Sequence, residues 1–215
     1  MRYVRLYILM FCAVILSGCN GCTDRTVMSG TEIFKKYNPA VFYIATTDNV
    51  QDYFGTGFFV SSKGRAISNY HVFDDMTDVV VVFSDGSTAD ISRIVAASER
   101  YDFVVFDVDV SKKCKFIPLP KTKFKYKPTV GEKVYAIGHP LGLENTFSSG
   151  EISQIRRGED YELQINVPID HGSSGGPLIN RYGEVIGITS GGYGEYSSAN
   201  LNFAVDIERV RNKIK

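Results

Sequence analysis

Between residues 41 and 108, short runs of β-branched and aromatic residues alternate with Gly, Asp and Ser clusters. That spacing predicts strands over 41–47, 57–60, 66–68, 79–83, 91–96 and 103–108. A second set is predicted over 133–137, 146–155, 161–167, 177–179, 185–190 and 201–205. Two sets of about six short strands point to an all-β fold of paired six-stranded antiparallel barrels. The connector over 111–130 is rich in lysine and contains Pro118, Pro120 and Pro128, so it is not a central strand. Its lysines read first as a solvated connector, with attraction to anionic lipid head groups as the functional alternative. Helical spacing is confined to the two ends. Residues 31–37 predict a short helix capped by Ser29 or Thr31 and stopped at Asn38-Pro39, and Val210 and Ile214, four apart, predict a closing helix over 206–215.

A different pattern occupies the N-terminus. Arg2 and Arg5 precede an apolar run from Leu6 to Leu16 that is short for a bilayer span and ends in small residues, as in an export signal. Leu16-Ser17-Gly18-Cys19 resembles the bacterial lipobox, whose cysteine receives a diacylglycerol and becomes the mature N-terminus. On this reading residues 1–18 are a signal, Cys19 is the lipid attachment site and residues 19–30 are a tether. At about 0.8 kcal/mol per buried methylene, two or more acyl chains hold such a protein on a membrane almost permanently. Asn20 replaces the aspartate that retains many lipoproteins at the inner membrane, which favours the outer membrane in a two-membrane cell.

Composition narrows the partners. The 215 residues are 44% hydrophobic, with formal net charge +0, so nucleic acid is not expected as a main partner. Cys22 and Cys114 are the thiols left outside the signal and the lipid site; their spacing does not decide whether they pair. Neither has a second ligand at metal spacing, and no metal or cofactor is expected. The sequence leaves an oligomer open.

The candidate chemistry centres on His171-Gly172-Ser173-Ser174-Gly175-Gly176-Pro177, where a serine lies between glycines that allow a tight turn with exposed amides. A serine hydroxyl needs a histidine base, a carboxylate to orient that base, and amide donors for an oxyanion. Of the three histidines, His71 follows an apolar strand, His139 lies in a Gly-His-Pro turn, and His171 is close enough in sequence to flank the serine. Asp102, at the start of a very apolar strand, competes with Asp107 and Asp109 for the carboxylate role, and Ser173 competes with Ser174.

Gly55-Thr56-Gly57-Phe58-Phe59-Val60, the Ser68-to-Val72 segment, Tyr101-Asp102-Phe103-Val104-Val105, Gly138-His139-Pro140-Leu141-Gly142 and Gly172-Ser173-Ser174-Gly175-Gly176-Pro177 resemble, in order and spacing, trypsin-like serine proteases of the HtrA/DegP type. The resemblance covers residues 31–215. It implies the chymotrypsin-like double barrel, with a first barrel over about 40–110 and a second over about 131–205. It also implies that His71 is the general base, Asp102 its orienting carboxylate and Ser174 the nucleophile, with Gly172, Ser173 and Ser174 forming the oxyanion loop. Polypeptides are the implied substrates. Ile169, Thr189, Ser190 and Gly191 fall where the family builds its specificity pocket. Related glutamyl endopeptidases carry histidine where Thr189 aligns, and Pro168 and Ile169 provide no acidic floor, so a small-to-medium apolar preference is expected. The chain departs from the family at Ser173 and His139, both usually Asn. Within these residues no room remains for the PDZ modules of many relatives, so their peptide-sensing regulation is not expected.

Overall fold

The computed structural model describes residues 25–46, 53–74, 76, 78–122, 125–139, 145–156, 163–191 and 201–214. Helix α1 (Gly30–Tyr37) opens on Ser29, whose hydroxyl accepts from the Glu32 amide while the Glu32 carboxylate accepts from the Ser29 amide, a reciprocal cap. A 3₁₀ turn (Asn38–Ala40), with Pro39 in it, ends the helix and turns the chain into the first barrel.

That barrel consists of β1 (Val41–Thr46), β2 (Tyr53–Phe59), β3 (Arg65–Ser68), β4 (Val79–Val82), β5 (Thr88–Ser98) and β6 (Phe103–Val108). The second consists of β7 (Lys133–Gly138), β8 (Thr146–Ile155), β9 (Leu163–Ile165), β10 (Pro177–Asn180), β11 (Val185–Ser190) and β12 (Asn202–Asp206). Each sheet closes with antiparallel neighbours, in the cyclic orders β1-β2-β3-β6-β5-β4 and β7-β8-β9-β12-β11-β10. The two halves therefore repeat one topology, and the expected paired six-stranded barrels are present.

Continuous apolar runs follow from burial on both faces of the strands. Along β6, Val104, Phe106 and Val108 fill the first barrel with Phe42, Ile44 and Phe59, while Phe103 and Val105 face outward into a shared core. Along β7, Val134 and Ala136 fill the second barrel and Tyr135 and Ile137 join that shared core. Ile33 and Tyr37 of α1 pack into the same layer. Phe42, Phe59 and Phe106 are almost completely buried inside the first barrel and Phe58 in the shared core, each contributing about 2–3 kcal/mol.

The C-terminal helix is shorter than its pattern predicts. Strand β12 runs on through Asp206, whose carboxylate accepts from the Glu208 amide, leaving one turn, α2 (Glu208–Arg211). The connector passes between the barrels without strand structure and is pinned by Ile117 N–H to Phe59 O and by Val185 N–H to Pro118 O, both 2.9 Å. Cys114 donates its thiol to the Ser61 carbonyl at 3.2 Å. Among the described residues no helix is long and apolar enough to cross a membrane. The expected lipid site Cys19, its preceding signal and Cys22 lie outside the described residues.

Candidate active site

His71 leaves β3 in a turn whose neighbours are tied into the first barrel. Val72 is buried there, and the Phe73 ring lies 5.1 Å from that of Phe106. With its flanks held by apolar contact, the half-exposed imidazole projects from the surface. Nδ1 lies 2.9 Å from both carboxylate oxygens of Asp102, and the His71 amide donates to Oδ1 at 3.0 Å.

Asp102 is only 6% exposed and sits in the left-handed region at φ 46, a conformation that costs a non-glycine residue on the order of 1 kcal/mol. Its neighbours offset that cost. The Asp102 amide donates to Glu99 O at 3.0 Å, the buried Asn69 side chain donates to Asp102 O at 2.8 Å, and the Ser190 hydroxyl donates to Oδ2 at 3.0 Å. Among the described residues, the desolvated carboxylate thus accepts from neutral donors and the imidazole.

Ser174 belongs to the second barrel, on the turn leading into β10. The first residues of that turn form a loop closed by Ser173 N–H to Asp170 O at 2.9 Å, with Gly172 at φ 92, where a side chain would be strained. This loop is docked onto the first barrel by Thr56. Its hydroxyl donates to Gly172 O at 2.6 Å and its amide to Ser174 O at 2.8 Å, while the His139 amide donates to the Thr56 hydroxyl at 3.1 Å. Thr189 Oγ1 takes the remaining carbonyl, Ser173 O, at 2.8 Å. Gly175 adds a steric requirement: at φ 87, a Cβ there would collide with Thr56 O and Ser68 Oγ. The Ser174 loop is therefore pressed against the same segment, residues 56 to 72, that carries His71.

The amide of Ser173 is engaged within the loop, whereas those of Gly172 and Ser174 donate to no group among the described residues. The two latter amides are the donors this loop can offer an oxyanion. Ser174 Oγ accepts from Gly191 N–H at 3.3 Å; among the described residues no hydrogen bond joins it to the His71 ring.

The remaining expected residues divide. Ile169 is partly buried against the second-barrel core and Gly191 is exposed beside Ser174. The side chains of Thr189 and Ser190 are committed elsewhere, to the Ser173 carbonyl and the Asp102 carboxylate, and both residues are buried. Thr56, Asn69 and Ser190 as supports of the site were missed from sequence. Thr56 and Asn69 lie inside the quoted motifs, but their bonds cross between segments far apart in the chain. His139 is buried with Nδ1 unpartnered among the described residues, its ring 5.2 Å from that of Tyr43. Burial lowers its pKa to about 4, so it is neutral near neutrality.

Paired barrels with an imidazole-carboxylate pair on one and a glycine-bounded serine on the other define the trypsin-like peptidase class. A family model for the trypsin-like peptidase domain matches residues 55–188, and the chain belongs to that family. It is 30% identical over 204 residues to Protease Do-like 1, chloroplastic, of Arabidopsis thaliana, covering 85% of this chain and 46% of that protein. It is 34% identical over 167 residues to Serine protease HTRA1 of Xenopus laevis, covering 73% and 34%. A probable periplasmic serine endoprotease, DegP-like, of Rhizobium meliloti (strain 1021) is 34% identical over 142 residues, covering 63% and 27%. The chain thus spans about half or less of the length of these curated relatives. Among solved structures, the serine endoprotease from Yersinia pestis superposes with a TM-score of 0.72 at 26% identity, covering 88% of this chain and 67% of that one.

Proposed function

We propose that this protein is a membrane-tethered serine endopeptidase acting on exported or unfolded polypeptides, with Ser174 as nucleophile, His71 as general base and Asp102 as the carboxylate that orients His71. The carrying observation is the Asp102 carboxylate on His71 Nδ1 at 2.9 Å, beside a serine loop docked on the same segment by Thr56. With Nδ1–H held by Asp102, the lone pair is left on Nε2. As Ser174 Oγ bonds to the scissile carbonyl carbon, Nε2 takes the hydroxyl proton, and the carbonyl π pair moves onto oxygen. The amides of Gly172 and Ser174 receive that oxyanion. Collapse of the tetrahedral species breaks the C–N bond, and the imidazolium returns its proton to the departing amine. Water then repeats the sequence on the acyl-enzyme, releasing the acid and restoring Ser174.

The Gly191 contact of Ser174 is compatible with this chemistry, because nucleophile-to-base hydrogen bonds are often long in unliganded sites and tighten with substrate bound. With Thr189 and Ser190 committed to other partners, Ile169 and Gly191 remain as the pocket's contributors from the expected set, which suits a small-to-medium apolar side chain. Export fits the word periplasmic in the names of several relatives, and the tether is assigned to a lipid on Cys19.

The same Gly191 contact favours a second reading, a protease-like binding lipoprotein without turnover. A fluorophosphonate probe separates the two. The peptidase labels, and Ser174→Ala abolishes labelling and lowers turnover of a peptide library by up to about 10⁶. A well-folded wild-type protein that neither labels nor cleaves establishes the binding reading.

A further inference from the structure

We propose that the end of the second barrel formed by the connector, the start of β7 and the β10–β11 hairpin lies on an anionic membrane surface, with the catalytic loop directed away from the bilayer. This rests on the assignment of Cys19 as the lipid site. The structure fixes where the tether joins the body. The Arg25 guanidinium bonds the Glu184 carboxylate at 2.7 Å and stacks over Tyr126 and Tyr182 at 5.4 and 4.9 Å, while Met28 N–H donates to Arg181 O at 2.8 Å. Six residues of full extension reach at most about 21 Å, so acyl chains on Cys19 keep this end within that distance of the lipid.

That end is cationic although the whole chain is neutral. Lys125, Lys127, Lys133 and Arg181 are exposed around it, and Lys121 and Arg211 continue the patch past Tyr126. Four acids lie among them, Glu132, Glu184, Asp206 and Glu208, fewer than the basic residues there. Glu132 accepts from the Tyr126 hydroxyl at 2.7 Å, Glu184 is buried beneath Arg25, and Glu208 pairs with Arg211. Val130, 59% exposed on the same turn, adds an apolar contact. Lysine and arginine around an exposed valine, beside a lipid tether, suit anionic phospholipid head groups.

Topology sets the orientation. Strand β7 leads from Lys133 at this end to Gly138, next to the residue whose amide bonds Thr56, and β10 leads back from the Ser174 turn to the hairpin. At about 3.4 Å per residue, the two ends of β7 are roughly 17 Å apart. Docking by the cationic end therefore leaves the cleft open to the aqueous side, and substrates arrive from solution.

The test uses the full lipidated chain on vesicles of equal parts phosphatidylcholine and phosphatidylglycerol, and on phosphatidylcholine alone. Mass spectrometry reads the lipid on Cys19, hydrogen exchange reads contact, and the fluorophosphonate probe reads the active site. Amides of 125–133 and 181–183 are expected to slow on anionic vesicles only, with no slowing at 170–174. Lys127→Gln, Lys133→Gln and Arg181→Gln together weaken docking on the order of 100-fold, from about 1 kcal/mol per basic residue, with peptide hydrolysis unchanged. Equal exchange on both vesicle types, protection centred on 170–174, or a triple variant that docks like wild type overturns the proposal. A mature chain without lipid overturns it together with the anchor assignment, while probe labelling judges the peptidase reading separately.

Discussion

One aspartate stands just before β6 and another near its end, and the two have opposite kinds of partner. Asp107 lies directly across from Arg65 of β3 and Arg93 of β5, and its carboxylate bonds Arg65 Nε at 2.5 Å and Arg93 at 2.7 Å. Those guanidiniums, Arg65 first, hold its pKa below the usual carboxylate value. Asp102, five residues earlier, meets an imidazole, a hydroxyl and an amide, with no Arg or Lys bonded to its carboxylate among the described residues. A carboxylate already neutralised by fixed cations has little field left for a transient one. A desolvated carboxylate among neutral donors can stabilise an imidazolium as it forms. Backbone geometry assists, since the left-handed φ of Asp102 takes it out of the strand alternation that places Asp107 between its arginines.

Substitution of both aspartates breaks the comparison open. Asp102→Asn keeps the shape and tolerates the left-handed backbone, so it is expected to lower kcat/KM on the order of 10⁴ with little change in unfolding, measured by steady-state hydrolysis and urea denaturation. A fall of less than about tenfold would assign the orienting role elsewhere.

His139 sharpens the contrast, because it is a buried titratable group with no charged partner among the described residues. Its folded pKa of about 4 lies below the unfolded value of 6.5, so the unfolded chain binds the extra proton first. Its stabilising contribution is therefore complete above about pH 6.5 and is lost as pH falls towards 4, by up to about 3 kcal/mol. His139→Phe is expected to remove that loss, read as a flatter dependence of urea midpoint on pH. The smallest effect belongs to Asp107→Asn: about 1 kcal/mol of stability at neutral pH, as for a part-exposed ion pair, and kcat within about twofold of wild type. The stability from Asp107 is present above its unfolded pKa and is lost as pH falls through its lowered folded value.

Most strands were readable because both faces are buried. Runs such as 79–83 and 103–106 stay apolar on both faces, one filling the barrel and the other packing into the shared core or, for Val80 and Val82, against Ala45. Reading was poorer where tertiary contacts rather than pattern set the ends. Strand β5 extends through two register irregularities to Ser98, and α2 stops after one turn although Val210 and Ile214 keep helical spacing. Within the site, motif order singled out His71, Asp102 and Ser174, but Ser190 looked like pocket wall until its hydroxyl was found on Asp102, 88 residues away in sequence.

The sequence by itself determined the repeated strand pattern, the glycines that let the serine turn form, and the residue types available for acid-base chemistry, because burial and backbone conformation act on each residue locally. Only the tertiary structure decided that Ser190 shares the Asp102 carboxylate with the imidazole, that Thr56 clamps both carbonyls flanking Ser173, and that the Ser173 amide is engaged inside its own loop. Hydrogen bonds between segments 30 to 120 residues apart depend on how the barrels pack, and a linear pattern carries no record of those distances.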